Sequence, residues 1–178
     1  MGRFSRLPVE VPEATTCDLE EMYAFLGAAL FVAQGLELEV TNLIVGMQAG
    51  GATALRQGEI TAMFEELEGK TFGRLLVEVR KHAAVSGDTE QLLRRALAER
   101  NRLVHHFIAE HSEDLYMPAG RRRMIDDLRS IIAVFRDADA AANAISTKMW
   151  AELGLTQELI DQYHREEIER VQLRDGTG

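Results

Sequence analysis

The sequence holds a single cysteine, three prolines and no long apolar run. Cys17 has no partner for an internal disulfide, a cysteine zinc knuckle or a redox pair. It reads as a small residue near a helix start. The start, Met1-Gly2-Arg3, followed by prolines at 8 and 12, has no apolar signal core. The longest nearly apolar run, Met22 to Ala33, covers about a dozen residues before Gln34, Glu37 and Glu39, too few to span a bilayer. A cytoplasmic protein with no membrane partner is expected. Basic residues are in the minority: 20 Lys and Arg against 29 Asp and Glu, a formal charge of −9. That argues against a surface that binds nucleic acid all over, while leaving room for one local basic site.

Apolar residues make up 46% and charged residues 28% of the 178 positions, an ordinary globular balance. A chain of this length buries roughly 70% of its unfolded surface, enough for a core without staples. Alternation of period two is absent, as are internal repeats, so the pattern from Asp18 onward predicts helices. Asp18 caps a long helix with Glu20 and Glu21 in its first turn, and Gly50-Gly51 ends it. A short helix is expected over 57–67 and a third over 71–81. Ser86-Gly87-Asp88 forms a turn and cap before a helix over 89–111. A loop at 116–120 precedes a long helix over 121–149. Gly154 breaks it, and Thr156 caps a last helix to Leu173. The expectation is an all-α, up-and-down bundle of about five to six helices. Residues 1–17 would form an extended arm, 18–173 one domain and 174–178 a frayed tail.

The helix over 89–111 carries the unusual residues. At about 100° per residue, Leu93, Ala96, Leu97, Leu103, Val104, Phe107 and Ile108 fall within roughly 80° of Arg100. A guanidinium on an apolar face needs a carboxylate, such as Glu39 or Glu65, or a functional reason. Arg94, Asn101 and His105 share one flank, and Arg95, Arg102 and His106 the other. Residues 94–136 hold nine Arg and six acids, a net +3, which leaves −12 for the rest. Arg121, Arg122 and Arg123 open the next long helix and could contact an RNA backbone. This region fits a selective phosphate site. The alternative is a solvated face with pairs such as Arg95–Glu99 and Glu99–Arg102.

The stretch Ala98-Glu99-Arg100-Asn101-Arg102-Leu103-Val104-His105-His106-Phe107 resembles the signature of the HEPN superfamily (higher eukaryotes and prokaryotes nucleotide-binding). Four residues separate Arg100 from His105 and five separate it from His106. Lys70-Thr71-Phe72-Gly73-Arg74-Leu75-Leu76 looks like a helix start found in several bacterial members. The resemblance covers roughly residues 71–111. It implies a HEPN-like all-α bundle, commonly dimeric, that acts as a metal-independent endoribonuclease without a cofactor. It also implies a place in toxin–antitoxin or defence systems, beside an antitoxin of nucleotidyltransferase type. The family's Arg, polar residue and His fall on Arg100, Asn101 and His105. Other members of the family lack nuclease activity.

Cleavage of RNA without a metal uses the 2′-OH as nucleophile and leaves a 2′,3′-cyclic phosphate. Histidine suits the proton transfers and arginine the charge on the phosphorane. Asn101, at i, i+4 from His105, could orient that ring or the phosphate. His106, Arg102 and Arg94 are auxiliary candidates, with His106 a possible second acid. Arg100 and His105 point about 140° apart on an ideal helix. Either the Arg stem reaches around the helix, or two copies meet at a two-fold axis. A homodimer with this helix at or near the interface follows. Other chemistries have less behind them. Asp161-x-x-His164 stands alone where a di-iron bundle needs paired Glu-x-x-His motifs. Glu78 and His82 share a helix face with no third ligand. There is no Walker loop or dinucleotide fingerprint. A catalytically silent binding or dimerisation module, or a helical transcription regulator, remains the alternative.

Overall fold

The structure, a computed structural model, describes residues 11, 13–50, 57–82 and 85–176. The described chain is all helical, with seven helices and no strand. They are α1 (Leu19–Ala49), α2 (Gln57–Leu67), α3 (Phe72–Val79), α4 (Gly87–His105), α5 (Phe107–Glu110), α6 (Pro118–Glu152) and α7 (Gln157–Asp175). A 3-10 turn, Asp114–Tyr116, leads into α6.

Capping chemistry sets several boundaries. Asp18 accepts the Glu21 backbone N–H at 2.8 Å and starts α1. The Glu21 carboxylate turns back to accept backbone N–H groups of the incoming chain, Thr16 at 3.1 Å among them. These bonds hold its pKa below the usual carboxylate range, the Thr15 amide contributing most. Cys17 sits between the two, buried, with a φ of 53°. Ser86 caps α4, and Pro118 begins α6, where a missing N–H costs nothing. Gly154, at φ 85°, ends the run before α7.

The core lies between α1 and α6, with α3 and α4 closing its sides. Cys17 meets Arg121, Glu39 meets Asn143, and Gly46 packs on Trp150. The near-constant offset along the pair means that α1 and α6 run in the same direction. Phe25, Phe72, Phe107, Phe135, Leu43 and Met124 are fully buried there. Each such side chain contributes about 1.5–3 kcal/mol relative to exposure.

Three sequence expectations about element bounds change, those for the helix over 89–111, the start of the last long helix and the tail. The helix expected over 89–111 is two: His106 leaves helical geometry (φ −127°) and divides α4 from α5. α6 starts three residues before 121. Arg174 and Asp175, expected in a frayed tail, belong to α7. The arm is held where described, since Val11 and Ala14 pack on the core. Residues 1–10 and 12 of that arm, Gly51 and the last two residues of the tail lie outside the described residues.

The run from Met22 to Ala33 alone is too short to span a bilayer, but α1 as a whole, Leu19–Ala49, is long and apolar enough by length and composition, which corrects the sequence expectation. Half of its most apolar window is buried inside the fold.

Candidate functional site

Arg100 lies near the centre of the face that α4 turns toward the bundle, where Leu93, Ala96 and Leu103 are buried. Its side chain is 29% exposed, and its Nε donates to Glu37 Oε1 of α1 at 2.9 Å. Glu37 is thus the carboxylate partner, in place of Glu39 or Glu65. Glu39 faces the other way. It is buried between α1 and α6, where it accepts from Ser146 Oγ, from Asn143 Nδ2 at 3.4 Å and from Asn42 Nδ2 at 3.4 Å. Glu65 lines a cavity of about 420 Å³ between α1, α2 and α3, whose wall also includes Glu37. With both partners of the Arg100–Glu37 pair about a quarter exposed, it contributes at most about 1 kcal/mol. The fold does not depend on it.

Glu37 engages only Nε of Arg100. Among the described residues, the two terminal nitrogens of the guanidinium have no hydrogen-bond partner. One edge of the planar fork is held and the other is open, the arrangement that binds two phosphate oxygens. Asn101, His105 and His106 are exposed at the C-terminal end of α4. Among the described residues their side chains make no hydrogen bond, and the two imidazoles lie edge to face at 6.3 Å between ring centres. Among the described residues no side-chain hydrogen bond joins Arg100 to Asn101 or His105, and none of the three lines the cavity at α1.

The auxiliary arginines are mostly engaged. Arg102 binds Asp127 through both terminal nitrogens, at 3.0 and 2.7 Å, and also Glu99 and Glu110, each at 2.9 Å. Asp127 dominates the rise in the Arg102 pKa. Arg94 pairs with Glu90 one turn earlier. Arg121 donates to the carbonyls of Cys17 at 2.8 Å and Leu115 at 3.0 Å, fastening the start of α1 to α6. Arg123 pairs with Asp114. Arg122 is exposed. Val104 and Ile108, expected on the buried face, are 45% and 51% exposed, because that face leans toward Leu103 and the chain breaks at His106.

His111 was not a candidate in the sequence, yet among the described residues it is a histidine with a carboxylate at each ring nitrogen. Its Nδ1 lies 2.8 Å from Asp114 and its Nε2 2.9 Å from Asp127, with the Phe107 ring against it at 4.7 Å. Burial pulls its pKa down, but the two carboxylates outweigh that and hold it above the ordinary value. Arg102 above all, and His111 beside it, hold the Asp127 carboxyl below its usual range despite burial. Both nitrogens of His111 are occupied, so this cluster ties α4, α5 and the 3-10 turn to α6 rather than offering a proton carrier.

Among the described residues, no group of three or more His, Cys, Asp or Glu is placed to hold a metal ion. Glu78 bonds Lys81 at 2.7 Å, and the side chain of His164 lies outside the described set. Compared with protein-family models, curated proteins and solved structures, the chain matches none of them.

Proposed function

We propose that this protein is a HEPN-like, metal-independent endoribonuclease in which Arg100 binds the scissile phosphate and His105 transfers the proton. The observation that carries the reading is the Arg100 side chain, held by Glu37 at Nε with its terminal nitrogens open. Asn101 and His105, exposed on the same helix end, supply the remaining groups of the Arg-Asn-x-x-x-His pattern. His106 is the alternative proton donor. The 2′-OH of the RNA attacks the adjacent phosphorus, the 5′-oxygen leaves with a proton, and a 2′,3′-cyclic phosphate remains. Arg100 neutralises the added charge on the phosphorane. In a toxin–antitoxin setting, a nucleotidyltransferase-type partner would restrain this activity.

A second reading has its own support. The Arg100–Glu37 pair is also what a binding or dimerisation module without nuclease activity would use to join α1 to α4. RNA cleavage in excess chelator separates the two. The nuclease reading expects products with cyclic phosphate ends, lost by at least about 100-fold in Arg100→Ala and His105→Ala proteins with unchanged circular dichroism. Cleavage that persists in His105→Ala and disappears in His106→Ala moves the proton carrier by one residue. A folded protein that leaves varied RNAs intact overturns the reading in favour of the module.

A further inference from the structure

On a continuous helix, Arg102 and His111 would lie two and a half turns apart, pointing about 180° away from each other and about 14 Å apart along the axis. In the structure they meet on one carboxylate. Arg102 Nη1 lies 3.0 Å and His111 Nε2 2.9 Å from the same oxygen, Oδ2 of Asp127, while Arg102 Nη2 donates to Oδ1 at 2.7 Å. A helix running straight from 89 to 111 cannot make that arrangement. It forms because the chain leaves helical geometry at His106, between α4 and α5. Two further bonds brace the same bend. Arg102 Nη1 reaches across it to Glu110 at 2.9 Å, and Asp114 holds the other ring nitrogen of His111 at 2.8 Å.

The bend decides where the two exposed imidazoles stand. Adjacent residues on a helix do not face each other. Here His105 closes α4, His106 is turned by the break, and their rings lie edge to face at 6.3 Å between centres. We propose that Asp127 is a positioning residue: its carboxylate takes Arg102 from one side of the break and His111 from the other, holds the chain bent at His106, and so keeps His105 and His106 together at the end of α4. Asp127 acts through Arg102 and His111, and among the described residues it bonds neither imidazole of the pair. An RNA phosphate bound at this end meets two imidazoles at one place. One can take the proton of the attacking 2′-OH and the other can supply a proton to the departing 5′-oxygen. That use of the pair rests on the nuclease reading, whereas the bend itself does not.

The test uses the isotopically labelled full chain as wild type, Asp127→Ala, Arg102→Met and the control Asp126→Ala, which removes the exposed neighbouring carboxylate. In Asp127→Ala the Cα chemical shift of His106 is expected to move into the helical range, and cross-relaxation between the His105 and His106 rings to vanish. Both features stay as in wild type in Asp126→Ala. RNA cleavage in chelator by Asp127→Ala is expected to fall at least about tenfold in kcat with KM within about twofold, because Glu37 and not Asp127 holds the phosphate-binding Arg100. Arg102→Met releases the α4 side alone and shifts His106 in the same direction, which decides the matter if Asp127→Ala does not fold. A His106 shift unchanged in both variants overturns the proposal and leaves the bend to the burial of Phe107. So does a bend that is lost while kcat is unchanged. A wild type that cleaves no RNA removes the nuclease reading alone, and the His106 shift then decides whether Asp127 holds the bend.

Discussion

His111 holds together parts of the chain that no helix connects. Its ring bridges Asp114 and Asp127, and Asp127 in turn receives both terminal nitrogens of Arg102. A histidine whose folded pKa is raised stabilises the protein fully below its unfolded value, about 6.5, and that contribution fades as pH rises through the folded value. Urea denaturation should therefore show stability falling as pH is raised from about 6.5, with the slope flattened in His111→Asn. A slope unchanged by that substitution would mean that another group titrates. None of this was legible from spacing. The partners of His111 lie 3 and 16 residues away, and no periodicity joins them. The partner of Arg100 was missed for a related reason. The need for a carboxylate could be read from Arg100 among Leu93, Ala96 and Leu103. Glu37 and Glu39, however, lie about 200° apart on α1, and which of the two faces α4 is decided only when the helices assemble.

Individual helices were more legible than their meeting points. Asp18, Ser86 and Gly154 mark ends with side chains or backbone freedom that no other position nearby supplies, and α2 runs as expected. The break at His106 carries no such mark, since neither proline nor glycine is present. It is a tertiary effect, in which Phe107 is drawn into the core while His111 is pinned to α6. The start of α6 depends on a close approach at Gly120, where a Cβ would lie 2.2 Å from the Asp114 carbonyl oxygen. That neighbour is backbone and cannot rotate away. Gly120→Ala should cost about 2 kcal/mol and lower the melting temperature by about 5 °C, measured by calorimetry. An unchanged melting curve would show that the 3-10 turn shifts freely.

At the scale of the whole molecule, α7 has described side chains that are less enclosed than those of α1 and α6. None of its described side chains is buried, whereas Leu153 and Leu155 just before it pack on the core. A chain ended after Leu155 should keep its melting temperature within about 2 °C by calorimetry. A larger fall would reveal contacts that α7 makes in a dimer or against the bundle. The all-helical class and one continuous core were legible because apolar spacing repeats along α1 and α6. Their shared direction was not, because it depends on how the segments between them cross over.

The near-constant offset of α6 from α1 has a consequence during synthesis. The apolar side of α1 leaves the ribosome first, yet the residues that cover it follow roughly a hundred positions later. At about 5–20 residues per second, that side waits about 5–20 s for its cover. The nascent chain must be sheltered over that interval, by a chaperone or by transient packing of α3 and α4, before its last long helix can close the core.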